Sequence, residues 1–285
     1  MQIGLAGAGL MGHGLGRNIL KAGHGLAVLA HRRREAVEDL IAHGAREAKD
    51  VGALVLGADI VLLCLPGSRE VEALVEKLAP LMKPGQIIVD ASTSDPASSM
   101  KLAKWLQGFG IGFADAPMAG GPEQAMAGET GVLAGAAPEV FEKIRPMLSC
   151  YANRVAHMGE AGRGHAAKLV SNYLVTGMIA LISDCFAVAK AADVNAAKLY
   201  DVMLAGSGNS GALRKMAGPA LEGDFDGYKF AIANAAKDIG YFLRMAEGLK
   251  AASPLARDVE KFFTAAKGQG DAGRNVSELL RGSIP

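Results

Sequence analysis

Residues 2–21 read QIGLAGAGLMGHGLGRNILK. Residues 2–6 are a short apolar run of strand length. Gly7-Ala8-Gly9-Leu10-Met11-Gly12 follows, and a helix-like segment then continues to Lys21. Each glycine of this G-x-G-x-x-G has its own reason: Gly7 permits the tight turn, Gly9 lets a pyrophosphate approach the backbone, and Gly12 lets helix and strand pack closely. The helix start at Leu10 and Met11 offers free N–H groups and a positive dipole end to phosphates. Such a turn is common alone. Between a strand and a helix it predicts the first unit of a dinucleotide-binding sheet.

Residues 26–30 form the second strand of that unit. A free ribose 2′-OH is usually bound by Asp or Glu at this strand end, roughly twenty residues past the glycines. Here the sequence is Ala30-His31-Arg32-Arg33-Arg34, with no carboxylate. A guanidinium fork suits a 2′-phosphate. The cofactor expected is therefore NADP(H) in preference to NAD(H), with Arg32 as the principal contact and His31 and Arg33 beside it.

Further strands fall at 59–65, 86–89 and 111–114, and helices at 70–82 and 96–107. Short apolar strands alternating with helices predict an α/β, doubly wound parallel sheet. Ligands of such sheets sit outside the strands' carboxyl ends. Those ends carry Leu65, Pro66, Ser92, Thr93, Pro117 and the pair Gly120-Gly121. Asp90 and Asp115 also lie there, and the usual work of such residues is to cap turns and helices. Segments at 131–134, 138–150 and 154–158 complete a first domain over 1–161.

The strand signal then fades. GEAGRGHAAKLVSN at 159–172 opens with three glycines and runs into a helix over 168–192, apolar nearly all round. Lys168 and Asn172, four residues apart, share one face of that helix. Helices follow at 196–204, 213–220, 231–247 and 254–266, so residues 162–285 read as an all-α domain for substrate binding and oligomerisation. A cleft is expected where two halves of different class meet, with Lys168 facing it. His165, one turn before Lys168, reads as structural.

The bulk numbers agree. With 285 residues, half of them hydrophobic, and a net charge of +1, the chain reads as a globular protein without a nucleic-acid or membrane partner. Cys64, Cys150 and Cys185 show no metal-ligand spacing; they read as buried, reduced thiols of a cytoplasmic protein, and no metal is expected. No signal peptide is read, and the longest apolar run, 173–182, is too short to span a bilayer.

Four stretches together carry a resemblance: GLAGAGLMG at 4–12, FADAPMAGG at 113–121, GEAGRGHAAKLVSN at 159–172, and NAAKDIGYFL at 234–243. Nearly end to end, the chain resembles the β-hydroxyacid dehydrogenases, the group of 3-hydroxyisobutyrate dehydrogenase and of tartronate, succinic and glyoxylic semialdehyde reductases. The resemblance implies that Lys168 is the catalytic lysine and that Asn172 orients substrate or lysine. It implies that Gly120 and Gly121 offer N–H groups to a substrate carboxylate, and that Pro66 and Thr93 face the nicotinamide. Lys237 would close over cofactor and substrate, and the long helix would lie in the interface of a homodimer or homotetramer. One departure stands out: the family usually has serine at the position of Ala119, so a hydroxyl expected at the carboxylate is missing. The C-terminal stretch from Gly268 to Ser277 also departs from the family's pattern.

The chemistry implied is hydride transfer between NADP(H) and a small β-hydroxy acid, semialdehyde or short keto acid, with a lysine as general acid or base. Met118, Ala119 and the loop 207–211 would shape specificity. Two other readings share the architecture. An imine reductase typically lacks this lysine. A non-catalytic NADP-binding module would be expected to have lost it or to carry an appended tail.

Overall fold

The computed structural model describes residues 1–30 and 34–284. The chain divides into two compact units, Met1–Lys168 and the part from Leu169 onward.

In the first unit the elements run β1 (Gln2–Ala6), α1 (Leu10–Lys21), β2 (Gly25–Leu29), α2 (Arg34–Ala42), β3 (Arg46–Ala48), α3 (Val51–Val55), β4 (Ile60–Leu63), α4 (Ser68–Leu78), β5 (Ile87–Asp90), α5 (Pro96–Gln107), β6 (Gly112–Asp115), β7 (Met118–Ala119), α6 (Pro122–Ala127), β8 (Thr130–Ala136), α7 (Pro138–Leu148) and β9 (Ala152–Gly159). Then α8 (Arg163–Ala191) begins. The sheet order is β3-β2-β1-β4-β5-β6-β8-β7, with β9 on β8. From β3 to β6 all pairs are parallel. Alternate residues along each strand face opposite sides, and both sides are buried. Ile3, Leu5, Val28, Leu62 and Val89 enter one core layer, while Ala6, Ala27, Val61, Leu63 and Ile88 enter the other. A strand buried on both faces must be apolar throughout, which is why these runs show no alternation.

Strand order reverses between β1 and β4. This is the switch point, where crossover helices leave to opposite sides and a crevice opens beyond the carboxyl ends. β8 departs from the parallel expectation. It is antiparallel to both β6 and β7, and β9 follows β8. Gly135 on β8 lies opposite Asp115 and beside Gly159. The reversed strands therefore return the chain to the carboxyl edge at Asp115, where α8 starts.

The second unit holds most of α8 together with α9 (Ala196–Ala205), α10 (Gly211–Leu221), α11 (Ile232–Gly248), α12 (Pro254–Ala266) and a 3-10 turn at Val276–Leu280. Its core gathers Leu169, Ile179, Phe186, Met216, Ile239 and Phe263. Burying each large side chain contributes roughly 1.5–3 kcal/mol. Asn195 and Ser210 cap α9 and α10 through their side chains. Val170, Leu174, Leu181 and Val188 of α8 are exposed, and so is Cys185. The reading of three buried thiols is thus corrected: Cys185 is exposed and Cys64 and Cys150 are half-buried, and the outward face of α8 is apolar but uncovered. At 29 residues α8 is long and apolar enough to cross a membrane by length and composition, which the run at 173–182 alone is not, and a third of that apolar window is buried in the chain.

Candidate active site

The glycine turn shows three different fits. A Cβ on Gly7 would lie 2.1 Å from the Cys64 carbonyl oxygen, and one on Gly12 would lie 2.1 Å from the Gly7 oxygen. Both positions are closed by the protein's own backbone, and Gly7 has φ +100°. A Cβ on Gly9 meets nothing within 4 Å. Gly9 therefore faces open space at the start of α1, where no acidic residue occupies the first turn and no side chain caps the helix. Leu10 beside it is 65% exposed. An uncapped, unblocked helix start with free N–H groups fits a pyrophosphate.

Of the residues expected at the adenosine ribose, His31, Arg32 and Arg33 lie outside the described residues. Arg34 is described. Its guanidinium pairs with Glu47 on β3 at 2.7 Å and with Glu38 at 3.5 Å.

The loops after β4 and β5 are tied to each other. The Leu65 N–H donates to the Ser92 hydroxyl at 2.9 Å, while the Ser92 N–H donates to Asp90 Oδ1 at 2.9 Å. Asp90 Oδ2 accepts from the Ser94 hydroxyl at 2.8 Å. Asp90 thus organises the turn carrying Thr93. Pro66 is exposed and Thr93 half-buried at the carboxyl edge. Cys64, between Leu63 and Leu65, is pushed up to about 12 by burial, so it stays a thiol.

Asp115 also organises backbone. Its Oδ1 accepts from Gly162 N–H and its Oδ2 from His165 N–H, both at 2.5 Å. A carboxylate holding two free N–H groups at a helix start is an N-terminal cap of the charged kind. Burial pushes the Asp115 carboxyl above the usual range, against the opposing pull of the His165 ring and the two N–H donors. Close approach needs the glycines. A Cβ on Gly164 would sit 2.3 Å from the Leu133 oxygen and 2.8 Å from Asp115 Oδ2, and one on Gly135 would sit 2.5 Å from Asp115 Oδ1. Gly162 adopts φ +91°. α8 therefore begins at Arg163, five residues before the expected start, and Lys168 is half-buried within its second turn.

Ala119, the last residue of β7, and Gly120 after it are exposed, and Gly120 has φ +128°. The Gly121 N–H donates to Gln124 Oε1 at 2.9 Å. Gln124 was not singled out from the sequence, although Pro122 at the helix start and an amide three residues past Gly121 are the signature of such a cap. The turn is braced from behind: Asn18 of α1 donates to the Ala125 oxygen at 2.9 Å, and Gly14 lets α1 and α6 touch.

In the second unit Asn172 Nδ2 donates to Asp238 Oδ2 at 2.7 Å. Asp238 is 4% exposed. The Lys237 ammonium lies 3.2 Å from Asp238 Oδ1 and 5.3 Å from the Tyr241 ring centroid. Oδ1 takes no hydrogen bond, so the Lys237 contact is an ion pair out of hydrogen-bonding line. The sequence shows Asp238 beside Lys237 but not that this carboxylate joins Lys237 to Asn172. A cavity of about 660 Å³ in this unit, lined by Phe225, Asp226, Arg274, Asn275, Glu278 and Arg281, contains none of the expected site residues.

Residues 2–159 match the NAD binding domain of 6-phosphogluconate dehydrogenase, and residues 162–282 match the NAD-binding family of NADP-dependent 3-hydroxyisobutyrate dehydrogenase. A 2-(hydroxymethyl)glutarate dehydrogenase from Eubacterium barkeri is 30% identical over 99% of this chain and 94% of its own length. An NAD-dependent L-serine dehydrogenase from Pseudomonas aeruginosa is 30% identical over 98% and 97%. The crystal structure of a 3-hydroxyisobutyrate dehydrogenase from Salmonella typhimurium superposes with a TM-score of 0.89 at 27% identity, covering 99% of both chains.

Proposed function

The chain belongs to the β-hydroxyacid dehydrogenase family and is an NAD(P)-dependent hydroxyacid dehydrogenase, and from that premise we propose that it uses NADP(H) to interconvert a small β-hydroxy acid and its semialdehyde, or a short keto acid, with Lys168 as the proton-transfer group. Bound NADP(H) supplies or accepts the hydride. The rest falls to this chain's side chains. As the substrate carbonyl oxygen gains charge, the Lys168 ammonium stabilises it and delivers a proton; in the other direction the neutral amine takes the proton from the hydroxyl. Asn172, held by Asp238, orients the reacting oxygen. Gly120 and Lys237 bind the substrate carboxylate, with Ala119 leaving room where the family carries a hydroxyl; the Gly121 N–H, expected beside Gly120, is instead taken by Gln124. Gly7, Gly9, Leu10, Met11 and Gly12 hold the pyrophosphate; Leu65, Pro66, Thr93 and Lys237 border the nicotinamide.

The observation that supports this reading is the start of α8: a buried carboxylate and two glycines fix the turn that carries Lys168 at the carboxyl edge of the sheet. Lys168→Ala is expected to fold, to bind NADPH, and to lose about 10²–10⁴-fold in turnover. The assay follows NADPH absorbance with succinic semialdehyde, glyoxylate, further semialdehydes and keto acids, and cyclic imines. Activity close to wild type in Lys168→Ala removes the reading, and turnover of cyclic imines alone replaces it with imine reduction.

Preference for NADP(H) rests on Arg32, with His31 and Arg33 beside it. Arg34 is committed to Glu47 and Glu38, and no carboxylate stands between residues 30 and 34. Arg32→Asp is expected to swing preference toward NADH. The exposed row Val170, Leu174, Leu181 and Val188 suits a helix-to-helix contact with a second copy, so the reading is of a cytoplasmic homo-oligomer acting on a small carboxylate.

A further inference from the structure

His165 is fully buried, and its ring meets four polar groups one turn behind Lys168. Its Nε2 lies 3.1 Å from the Ser92 carbonyl oxygen. A carbonyl only accepts, so Nε2 carries a proton. Its Nδ1 lies 2.7 Å from the Ser99 hydroxyl on α5. Two buried carboxylates flank the ring, Asp90 Oδ2 at 3.8 Å from Nε2 and Asp115 Oδ2 at 3.7 Å from Nδ1. The backbone N–H of His165 is held by the same Asp115. Three elements present polar groups to this ring: β5 and its loop give Asp90 and Ser92, β6 gives Asp115, and α5 gives Ser99.

These bonds join the parts assigned to the reaction. Ser92 takes His165 on its carbonyl and Leu65 on its hydroxyl. Thr93 is the next residue. Lys168 is one turn along the helix from His165, on the adjoining surface. A buried ionic network seldom adds net stability over apolar packing, because desolvation offsets the attraction. What a fully satisfied network does supply is a single geometry.

We propose that His165 is a positioning residue, locking the helical turn that carries Lys168 to the loops of Leu65 and Thr93 so that proton donor and hydride path stay in register. The proposal rests on the reading of Lys168 given above. Misplacement of a catalytic group by about 1 Å can cost about 100-fold. His165→Ala is therefore expected to lower kcat about 30–100-fold with succinic semialdehyde or glyoxylate, with the NADPH Kd within about twofold. His165→Gln, whose amide can still donate to the Ser92 carbonyl, is expected to recover most of that loss. In the Lys168→Ala background, His165→Ala is expected to change the residual rate less than about twofold, because there is no lysine left to position.

A purely structural role would lower the melting temperature and leave kcat intact well below it, and that result overturns the proposal. So does a full further loss in the double variant. Should His165→Ala fail to fold, Ser99→Ala decides: it removes the 2.7 Å contact to Nδ1 along with a long 3.5 Å bond to the Asp95 oxygen within α5 and is expected to lower kcat about three- to tenfold at constant NADPH affinity, and an unchanged kcat overturns the idea. Normal turnover in Lys168→Ala would remove the parent reading and this proposal with it, whereas a silent His165→Ala removes the proposal alone.

Discussion

Gly164→Ala puts one methyl group where the start of α8 meets the sheet. That Cβ would stand 2.3 Å from the Leu133 oxygen, 2.8 Å from the Gly135 nitrogen and 2.8 Å from Asp115 Oδ2. An ordinary contact is about 3.4 Å, so the helix start must retreat by about 1 Å from the β8 backbone, which cannot swing away. Overpacking of this kind costs about 1–3 kcal/mol. Retreat also stretches the Asp115 bonds to Gly162 and His165, and a hydrogen bond to a charged group contributes about 1.5–3 kcal/mol. A loss of about 3 kcal/mol is expected, and at 2–4 °C per kcal/mol the melting temperature falls by about 6–12 °C. The same shift displaces Lys168, so turnover measured 20 °C below the new midpoint should drop about tenfold or more while NADPH still binds. Differential scanning fluorimetry and an NADPH-coupled assay read the two effects. A variant with wild-type midpoint and wild-type kcat would refute the claim that sheet and helix are in contact at this point.

The same reasoning gives the opposite sign elsewhere. In the middle of α11, a Cβ on Gly240 meets only the tips of Arg244 and Glu260 at 3.9 Å, so Gly240→Ala should raise stability by about 0.8–1 kcal/mol in urea unfolding. Tyr151 is fully buried and its hydroxyl has no hydrogen-bond partner; an unsatisfied buried group costs about 1–3 kcal/mol, so Tyr151→Phe should raise the melting temperature, and a fall would show the hydroxyl is satisfied after all. Glu278 is held below the usual carboxylate range by hydrogen bonding from Arg281 first and by Arg274. Its folded pKa is lowered, so its contribution is complete above the ordinary glutamate value of about 4.3 and is lost as pH falls through the lowered one. The melting-temperature gap between the protein and Glu278→Gln should close over that acid window, and a gap that widens there would contradict the assignment.

Most of the sheet could be read from residues because parallel strands buried on both faces are unbroken apolar runs. β1 and α5 begin and end where their patterns do, the first at a glycine and the second at Asp95-Pro96, a side-chain cap and a first-turn proline. β3 is three residues long, below the length at which a pattern exists. The reversal at β8 escaped because strand direction leaves no mark on composition. The early start of α8 escaped for a different reason: glycines argue against a helix locally, and only the oxygen of Leu133 and the carboxylate of Asp115 explain why they are there. For the site, Lys168 and Asn172 stood out by type and spacing, and Lys237 through the resemblance. His165 read as structural and Asp238 only as the neighbour of Lys237, since the contacts that give them weight come from partners 66 to 73 residues away.

Cys185 follows Leu181 by four residues and precedes Val188 by three, so the exposed thiol belongs to the bare apolar row of α8. Cys64 and Cys150 are both half-buried, and burial pushes both thiols up. Under the proposed contact between two copies along this row, Cys185 would serve as a chemical counter of assembly. Alkylation by iodoacetamide would be fast at this one thiol when copies are apart and slow when two rows meet, so the rate's dependence on protein concentration would report the association constant without any label being added.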